Sequence, residues 1–217
     1  MAELVPACDK LADIGTDHGF LPLYLLSSGK IHRAVCSDVN AAPLEAAKRN
    51  LAAAGLSGRA EFRLGDGMKV IQPGEVSCAV IAGMGGETIA GLMGADSSGT
   101  ELFVLQPMSK SEKLRQWLHT NGWGIPSWRL VRDAGRLYEV LLVSKEVPPE
   151  SEPFVSFGAP CPEVSRLYAE YIGEKLAGFE KSLRGLLSAA SPDAERIALA
   201  QKEIEALRLI RSNYPKR

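Results

Sequence analysis

Hydrophobic and polar positions follow two alternating patterns over roughly the first two thirds of the chain. Short apolar runs, such as residues 11–14 and 34–38, have the length and composition of strands. Between them lie stretches with apolar residues three and four positions apart, such as residues 43–54, which Gly55 closes. The pattern therefore predicts repeated β-α units.

The same alternation continues to about residue 144. The chain ends this region with two apolar runs that flank Asp133-Ala134-Gly135, a turn sequence typical of an antiparallel hairpin. The further strands are predicted at residues 61–64, 78–82, 102–106, 128–132 and 137–144, and the further helices at residues 22–26, 87–93 and 109–120. Ser109 and Glu112 have the spacing of a capping box. We therefore predict an α/β fold with a doubly wound, mostly parallel Rossmann-like sheet.

The last third of the chain has a different pattern. Residues 147–162 contain five prolines, which fix φ and remove backbone donors, so this segment is predicted to be a linker. Apolar residues then recur at helical spacing from Val164 to Leu187, and Ser191-Pro192 resembles the start of a second helix. We therefore predict a ligand-binding domain over 1–146, the linker, and a coiled-coil-like helical hairpin over 163–217.

The amino-acid composition serves mainly to exclude classes of protein. Of the 217 residues, 46% are hydrophobic and 24% are charged, which excludes a disordered or fibrous protein. The sequence has neither an apolar run of membrane-spanning length nor a signal-peptide pattern, so we expect a cytoplasmic protein with no membrane partner. The cysteines and histidines are scattered singly, so we expect neither disulfides nor a metal site.

Basic residues are concentrated in one segment of the chain. Residues 1–109 hold 8 basic and 12 acidic residues, whereas residues 110–136 hold 6 basic and 2 acidic residues. Such a segment is a candidate contact for phosphates, although solvated lysines and arginines are the commoner explanation. Its basic residues are Lys110, Lys113, Arg115, Arg129, Arg132 and Arg136.

The loop after the first predicted strand carries the first candidate chemistry, because ligands of doubly wound sheets bind beyond the carboxyl ends of the strands. This loop, Asp13-Ile14-Gly15-Thr16-Asp17-His18-Gly19, lacks the G-x-G-x-x-G spacing and has Asp17 in place of a middle glycine. A carboxylate there repels a pyrophosphate but suits an ammonium or sulfonium group. S-adenosylmethionine therefore fits this loop better than NAD.

Three further features follow successive strands. Asp38 ends the second strand, 19 residues after Gly19, where a carboxylate can accept both hydroxyls of a ribose. Asp66, between Gly65 and Gly67, can accept a hydrogen bond from an adenine amine, and the glycine-rich segment 82–86 brings bare backbone to the reacting face. Each feature also has a purely structural explanation as a turn, but together they indicate an adenosine-containing cofactor.

These motifs resemble the bacterial tRNA (adenine(22)-N(1))-methyltransferases. The resemblance is carried, in order, by residues 12–22, 65–67, 81–86, 105–107, 114–118, 122–123 and 135–139. It implies a class I S-adenosylmethionine-binding methyltransferase domain over 1–146 that methylates N1 of an adenine in the D-loop region of tRNA. The helical tail is similar to that family's coiled-coil appendage in type only. The family differs in having a further helix ahead of the position of Met1 and a more polar stretch at Ala41-Ala42.

The resemblance and the loop positions together assign candidate residues. The cofactor site is expected to comprise Asp13, Gly15, Thr16, Asp17, His18, Gly19, Asp38, Val39, Asp66, Gly67, Gly83 and Met84. The catalytic or substrate-side candidates are Asp17, Gly85, Gln106 and Pro107. The tRNA phosphates are expected to contact the basic residues Lys110, Lys113, Arg115, Arg129, Arg132 and Arg136.

The chemistry of the acceptor agrees with a ring nitrogen. The N1 lone pair of adenine lies in the ring plane, so the enzyme must align it with the methyl group and exclude water, and no strong base is obligatory. Methylation of the exocyclic N6 would call for an Asn-Pro-Pro-aromatic loop, but the Pro-Pro pair of this chain precedes Glu150 in the linker. Three alternatives stay open: another RNA or small-molecule acceptor, a non-catalytic RNA- or protein-binding module, and a nicotinamide oxidoreductase. The sequence leaves the oligomeric state open, with a monomer favoured.

Overall fold

A computed structural model describes residues 1–95, 98–162, 164–189 and 191–214. One sheet contains β1 (Cys8–Ile14), β2 (Ile31–Asp38), β3 (Ala60–Leu64), β4 (Cys78–Gly85), β5 (Leu102–Ser109), β6 (Gly124–Asp133) and β7 (Arg136–Ser144). The helices are α1 (Phe20–Ser27), α2 (Ala41–Ala53), α3 (Gly86–Gly94), α4 (Ser111–Thr120), α5 (Ser165–Leu187) and α6 (Ala194–Asn213). Every helix and strand predicted from the sequence is therefore present, with bounds that differ by a few residues.

The strands are ordered β3-β2-β1-β4-β5-β7-β6 across the sheet. β1 to β5 run parallel, while β7 runs antiparallel to both β5 and β6. Ala12 of β1 pairs with Val35 on one side and with Ala79 on the other. The chain reverses its direction of progress across the sheet at this central strand, so the crevice of a doubly wound fold lies at the carboxyl ends of β1 and β4. The predicted fold class is confirmed.

Apolar side chains cover both faces of the sheet. On one face, Leu25 of α1 and Leu51 of α2 pack against strand residues such as Leu11 and Cys36. Cys36 and Cys78 are fully buried within their strands, as predicted for thiols that pack as small apolar groups. The other face is covered by α3, α4 and residues of the helical hairpin. A sheet buried on both faces explains why its strands are nearly continuous apolar runs.

The predicted helix starts in two places are wrong. Ser109 does not cap α4, because it still belongs to β5, where it pairs with Gly85, and Lys110 stands at the N-cap in a left-handed conformation, φ 54°. Ser191 and Pro192 lie before α6, whose N-cap is Asp193. The Asp193 carboxylate accepts a hydrogen bond from the backbone N–H of Arg196 at 3.1 Å.

The helical hairpin packs against the α/β part of the molecule. Tyr168 and Tyr171 of α5 are buried and make edge contacts with Trp128 of β6, at ring-centroid distances of 6.1 and 6.0 Å. Leu207 and Ile210 of α6 belong to the same core. The apolar stripes of the tail therefore contact the sheet domain as well as each other, and the domain bounds at 146 and 163 stay a prediction. Among the described residues, no helix combines the length and apolar character needed to cross a bilayer.

Candidate functional site

The loop between β1 and α1 turns sharply at the carboxyl edge of the sheet. The backbone N–H groups of Gly15 and Thr16 donate to the carbonyl oxygen of Ser37 at 2.8 and 2.9 Å, which ties the loop to the end of β2. Gly19 has φ 68°, and a Cβ there would lie 2.8 Å from the Cβ of Ala47. A glycine is thus required both by the backbone conformation and by the close approach of α2.

Asp13 and Thr16 support this loop from beneath. Both residues are buried, and the Thr16 hydroxyl donates to Oδ2 of Asp13 at 2.6 Å. Burial raises the pKa of Asp13 to about 6, although the hydrogen bond from Thr16 acts in the opposite direction. The pair therefore fixes the loop, with its carboxyl group inside the protein.

Three further aspartates follow β1, β2 and β3 at the same edge. The side chains of Asp17 and Asp66 are 72% and 58% exposed, and Asp38 is half-buried. His18 lies beside Asp17, with Nε2 3.5 Å from Oδ1, while Lys69 pairs with Asp66 at 2.5 Å. Three carboxylates at one edge can accept hydrogen bonds from hydroxyl and amine groups but repel phosphates.

Two hydrogen bonds order the end of β2 and tie it to the loop after β3. Oδ1 of Asp38 accepts from the N–H of Asn40 at 2.9 Å, and the carbonyl oxygen of Asp38 accepts from the N–H of Gly65 at 2.9 Å. Asp17 has φ 50°, a left-handed conformation that is uncommon outside glycine. The structure therefore brings together the predicted residues of the first three loops.

The carboxyl ends of β4 and β5 form the other side of the crevice. The N–H of Gly83 donates to Oε1 of Gln106 at 3.0 Å, and Nε2 of Gln106 donates to the carbonyl oxygen of Pro107 at 3.1 Å. Met84 of β4 pairs with Pro107 of β5 after a register shift, so the ends of the two strands stay side by side. The predicted substrate-side residues Gly85, Gln106 and Pro107 are thus neighbours.

Sequence reasoning included Gly86 in the glycine-rich segment 82–86 but missed its packing role, and it did not single out Phe20 or Met108 as site residues. A Cβ on Gly86 would collide with the carbonyl oxygen of Lys110, so the glycine permits the starts of α3 and α4 to touch. Phe20, the first residue of α1, and Met108, near the end of β5, are large apolar residues, yet they are 65% and 50% exposed. With Val39, which is 61% exposed, they could cover a flat aromatic ring. The sequence does hold a signal for such residues, since a large apolar residue follows a glycine loop at Phe20 and a predicted strand end at Met108.

Arg115 does not contact tRNA, and this prediction is wrong. Its side chain is fully buried, with Nε donating to Oε2 of Glu139 at 2.6 Å and Nη1 to Oε2 of Glu150 at 2.9 Å. The guanidinium also lies over the ring of Trp128, with Cζ 4.6 Å from the ring centroid. A side chain with no exposed surface cannot reach a phosphate.

The other basic residues lie in two groups on the surface. Lys110 and Lys113 both pair with Glu87, next to the crevice, and they lower the pKa of Glu87 to about 2. Arg132 pairs with Glu170 of α5 at 2.5 Å. Arg129 and Arg136 lie on the same antiparallel hairpin of β6 and β7 as Arg132.

A groove between α5 and α6 has mixed charge. Arg184 and Arg208 line it together with Glu180 and Glu205, and Arg208 pairs with Glu180 at 2.9 Å. Its cations are therefore partly neutralised. No group of three metal-ligating side chains occurs in the part of the chain that the structure describes.

Comparison with known proteins identifies a family model and relatives that are named as methyltransferases. A family model described as a methyltransferase domain matches residues 1–141. The chain is 34% identical over 145 residues to the tRNA (adenine(22)-N(1))-methyltransferase of Bacillus subtilis strain 168, a match that covers 65% of this chain. The chain spans 61% of the length of that relative.

Solved structures resemble nearly the whole chain. The crystal structure of the B. subtilis M1A22 tRNA methyltransferase TrmK has a TM-score of 0.83 at 25% identity and covers 96% of this chain and 94% of that one. A Streptococcus pneumoniae protein provisionally assigned as a tRNA (m1A22) methyltransferase, solved with S-adenosyl-L-methionine, has a TM-score of 0.78 at 28% identity. Its match covers 96% of this chain and 95% of that one. The resemblance therefore includes the helical hairpin.

Proposed function

Because the chain belongs to the methyltransferase-domain family, we propose that it transfers a methyl group from S-adenosylmethionine to N1 of adenine 22 in tRNA. The observation that carries the proposal is the row of carboxylates Asp17, Asp38 and Asp66 at the ends of three consecutive strands. The B. subtilis relative, named for this activity, is 34% identical over 145 residues.

The residues of the crevice fit this cofactor. A Cβ on Gly15 would collide with Cε of Met84, so the first and fourth loops approach closely where the cofactor would lie. Asp38 would accept the ribose hydroxyls, Asp66 the adenine amine, and Asp17 the ammonium of the methionyl group. When bound, S-adenosylmethionine supplies an electrophilic methyl group on a sulfonium. The Asp17 carboxylate in the first loop disfavours a pyrophosphate in the same place.

The acceptor needs alignment more than activation. The N1 lone pair attacks without losing a proton, and the methylated ring becomes cationic, so an exposed carboxylate close to it stabilises the product charge. Asp17 is our candidate for this role, as an alternative to its contact with the ammonium group, since its side chain is 72% exposed at the crevice. Gln106 and Pro107 would contact the edge of the base, while the exposed apolar side chains of Phe20 and Met108 would exclude water from it.

A base that is buried in folded tRNA must be exposed before it can react, and contacts elsewhere must offset the cost of unstacking it. Lys110 and Lys113 border the crevice, and the arginines of the β6–β7 hairpin extend this surface to Arg136. We assign the phosphate contacts to these residues, without Arg115. A tRNA substrate also places the reaction in the cytoplasm.

The direct test uses two tRNA transcripts that differ only in adenine or guanine at position 22. The protein is incubated with each transcript and labelled S-adenosylmethionine, and the methylated base is mapped. We expect 1-methyladenosine in the first transcript and no label in the second. Label at another base, or in unrelated RNA, would assign a different acceptor, and cofactor binding without transfer to any RNA would indicate a binding module.

The phosphate contacts are tested by the salt dependence of tRNA binding. Each phosphate contact adds roughly 0.7–0.9 to the negative slope of log affinity against log salt concentration. We expect the Arg136→Ala substitution, which removes one such contact, to reduce this slope by roughly 0.7–0.9. The buried Arg115 should leave the slope unchanged in any substitution that still folds, and a salt-independent affinity for tRNA would contradict the assignment.

A further inference from the structure

α5 of the helical hairpin contacts the first turn of α4 through a lysine. Nζ of Lys175 donates to the hydroxyl of Ser111 at 2.7 Å and lies 3.4 Å from the carboxylate of Glu112. Ser111, the first residue of α4, is buried. The start of α4 is thus held from the side of the hairpin.

A second, deeper contact joins the same two helices. The Tyr171 hydroxyl on α5 donates to Oε1 of Glu139 at 2.7 Å, and Oε2 of Glu139 accepts from Nε of Arg115 on α4 at 2.6 Å. Burial acts to raise the pKa of Glu139, but Arg115, Lys175 and the hydroxyl of Ser111 lower it below its usual range. The carboxylate therefore stays charged, and the loss of either of its buried partners would be costly.

α6 makes the third contact. Oε1 of Glu203, which is buried, accepts from Nε2 of Gln116 on α4 at 2.5 Å and from the hydroxyl of Ser156 at 3.1 Å. Both helices of the hairpin therefore bind α4 through polar side chains. α5 does so at the first turn through Lys175 and at Arg115 through Glu139, and α6 does so at Gln116.

α4 begins directly after the substrate-side segment of the crevice. Residues 106–109 are the last residues of β5, Lys110 connects β5 to this helix, and Gln106 accepts a hydrogen bond from Gly83 of β4. Lys110, in a left-handed conformation, packs its carbonyl oxygen against Gly86. A displacement of α4 therefore moves residues 106–110 relative to the rest of the crevice.

We propose that the helical hairpin positions residues 106–110 for methyl transfer through α4, with Lys175 and Tyr171 as positioning residues. The reaction in this inference rests on the proposed function, but the mechanical link does not. Small displacements of groups that orient a substrate reduce the rate strongly, because the reacting atoms must be aligned. The helical hairpin thus raises kcat by positioning these residues, and this effect is separate from any contact that the hairpin makes with RNA.

The kinetic test compares Lys175→Gln with Lys202→Gln. Both substitutions remove one positive charge from the hairpin, but Lys202 is 70% exposed and its Nζ pairs with Glu152 of the linker, at 3.7 Å, instead of with a residue of α4. We expect kcat of Lys175→Gln to fall roughly tenfold at saturating tRNA and cofactor, with KM for tRNA changed no more than in Lys202→Gln. A rise in KM that is equal in both variants, with kcat unchanged, would mean that Lys175 acts only through its charge.

Hydrogen exchange provides a readout that needs no substrate. Amides of residues 106 and 108–111 should exchange faster in Lys175→Gln and not in Lys202→Gln. Tyr171→Phe should have the same effects as Lys175→Gln, while Tyr168→Phe, whose lost hydroxyl donates only to the carbonyl oxygen of Gly158 at 2.7 Å, should not. These two variants decide the question if Lys175→Gln melts below the assay temperature.

The two readouts together separate this inference from the proposed function. Faster exchange combined with a lower kcat supports the inference, and either change without the other overturns it, because the effect would not pass through residues 106–110. A wild-type protein without activity on tRNA would refute the proposed function. Exchange would then still show whether the hairpin holds this segment.

Discussion

Nε of Arg115 donates to Oε2 of Glu139 at 2.6 Å, and neither side chain has appreciable exposed surface. Glu150 and Trp128 complete the surroundings of the guanidinium. A buried ion pair of this kind gains little net stability over a well-packed apolar pair, but removal of one partner leaves an uncompensated buried charge. The pair therefore specifies how α4, β7 and the linker fit together.

Arg115→Met should destabilise the protein by about 3–5 kcal/mol, because Glu139 and Glu150 lose their cation. The free energy of unfolding in urea measures this cost. Arg129→Met is the control, since Arg129 is half-buried and donates only to Ser127 and Trp128. Adding Glu139→Gln to Arg115→Met should recover part of the loss. A cost near that of the control would show that the buried pair is not needed for stability.

Gly86→Ala and Gly91→Ala should have effects of opposite sign, although both glycines lie in α3. A Cβ on Gly86 collides with the backbone of Lys110, so we expect a loss of about 1–3 kcal/mol from overpacking. A Cβ on Gly91 meets nothing within 4 Å, so alanine should stabilise the helix by about 0.5–1 kcal/mol. Thermal or urea unfolding of both variants measures the difference, and equal effects would contradict the close contact of α3 with α4.

The Asp13 carboxyl should make stability fall as pH rises. Its pKa is about 6 in the folded protein, against 3.8 as its ordinary value, so the folded state binds more protons between these pH values. The stability that this group contributes is present below pH 4 and is lost by about pH 7, a change of up to about 3 kcal/mol.

Asp13→Asn removes this titration and keeps an acceptor for the Thr16 hydroxyl. The stability of the variant relative to the wild type should therefore increase as pH rises from 4 to 7, as measured by unfolding at each pH. A constant difference between Asp13→Asn and the wild type across this range would mean that the folded pKa is not raised.

Asp38→Ala should weaken binding of S-adenosylmethionine by roughly 10- to 100-fold, since hydrogen bonds to a charged acceptor contribute about 1.5–3 kcal/mol. Calorimetric titration of the protein with cofactor measures the affinity. The matched control is Asp9→Ala, which removes the same charge at the opposite end of β1, where Asp9 is 76% exposed beside His32. An equal loss in both variants would indicate a general charge effect instead of a ribose contact.

The elements and the cofactor edge were predictable because their signals are local. Strand and helix periods, the glycines at 15 and 19, and the aspartates directly after β1, β2 and β3 all lie within a few residues of the structure that they determine. The two wrong helix starts are also local, but more than one residue near each start could have served as the cap. At α4 the pairing of Ser109 with Gly85 on a neighbouring strand settled the choice.

The sequence by itself determined the alternation of strands and helices, the doubly wound sheet and the loops that carry the carboxylates. Only the tertiary structure decided that Arg115 is buried, that Gly86 must be small, and that both hairpin helices bind α4. The physical reason is separation along the chain. Glu139 lies 24 residues from Arg115, and Glu203 lies 87 residues from Gln116, so no local pattern could reveal which charges are paired inside the protein.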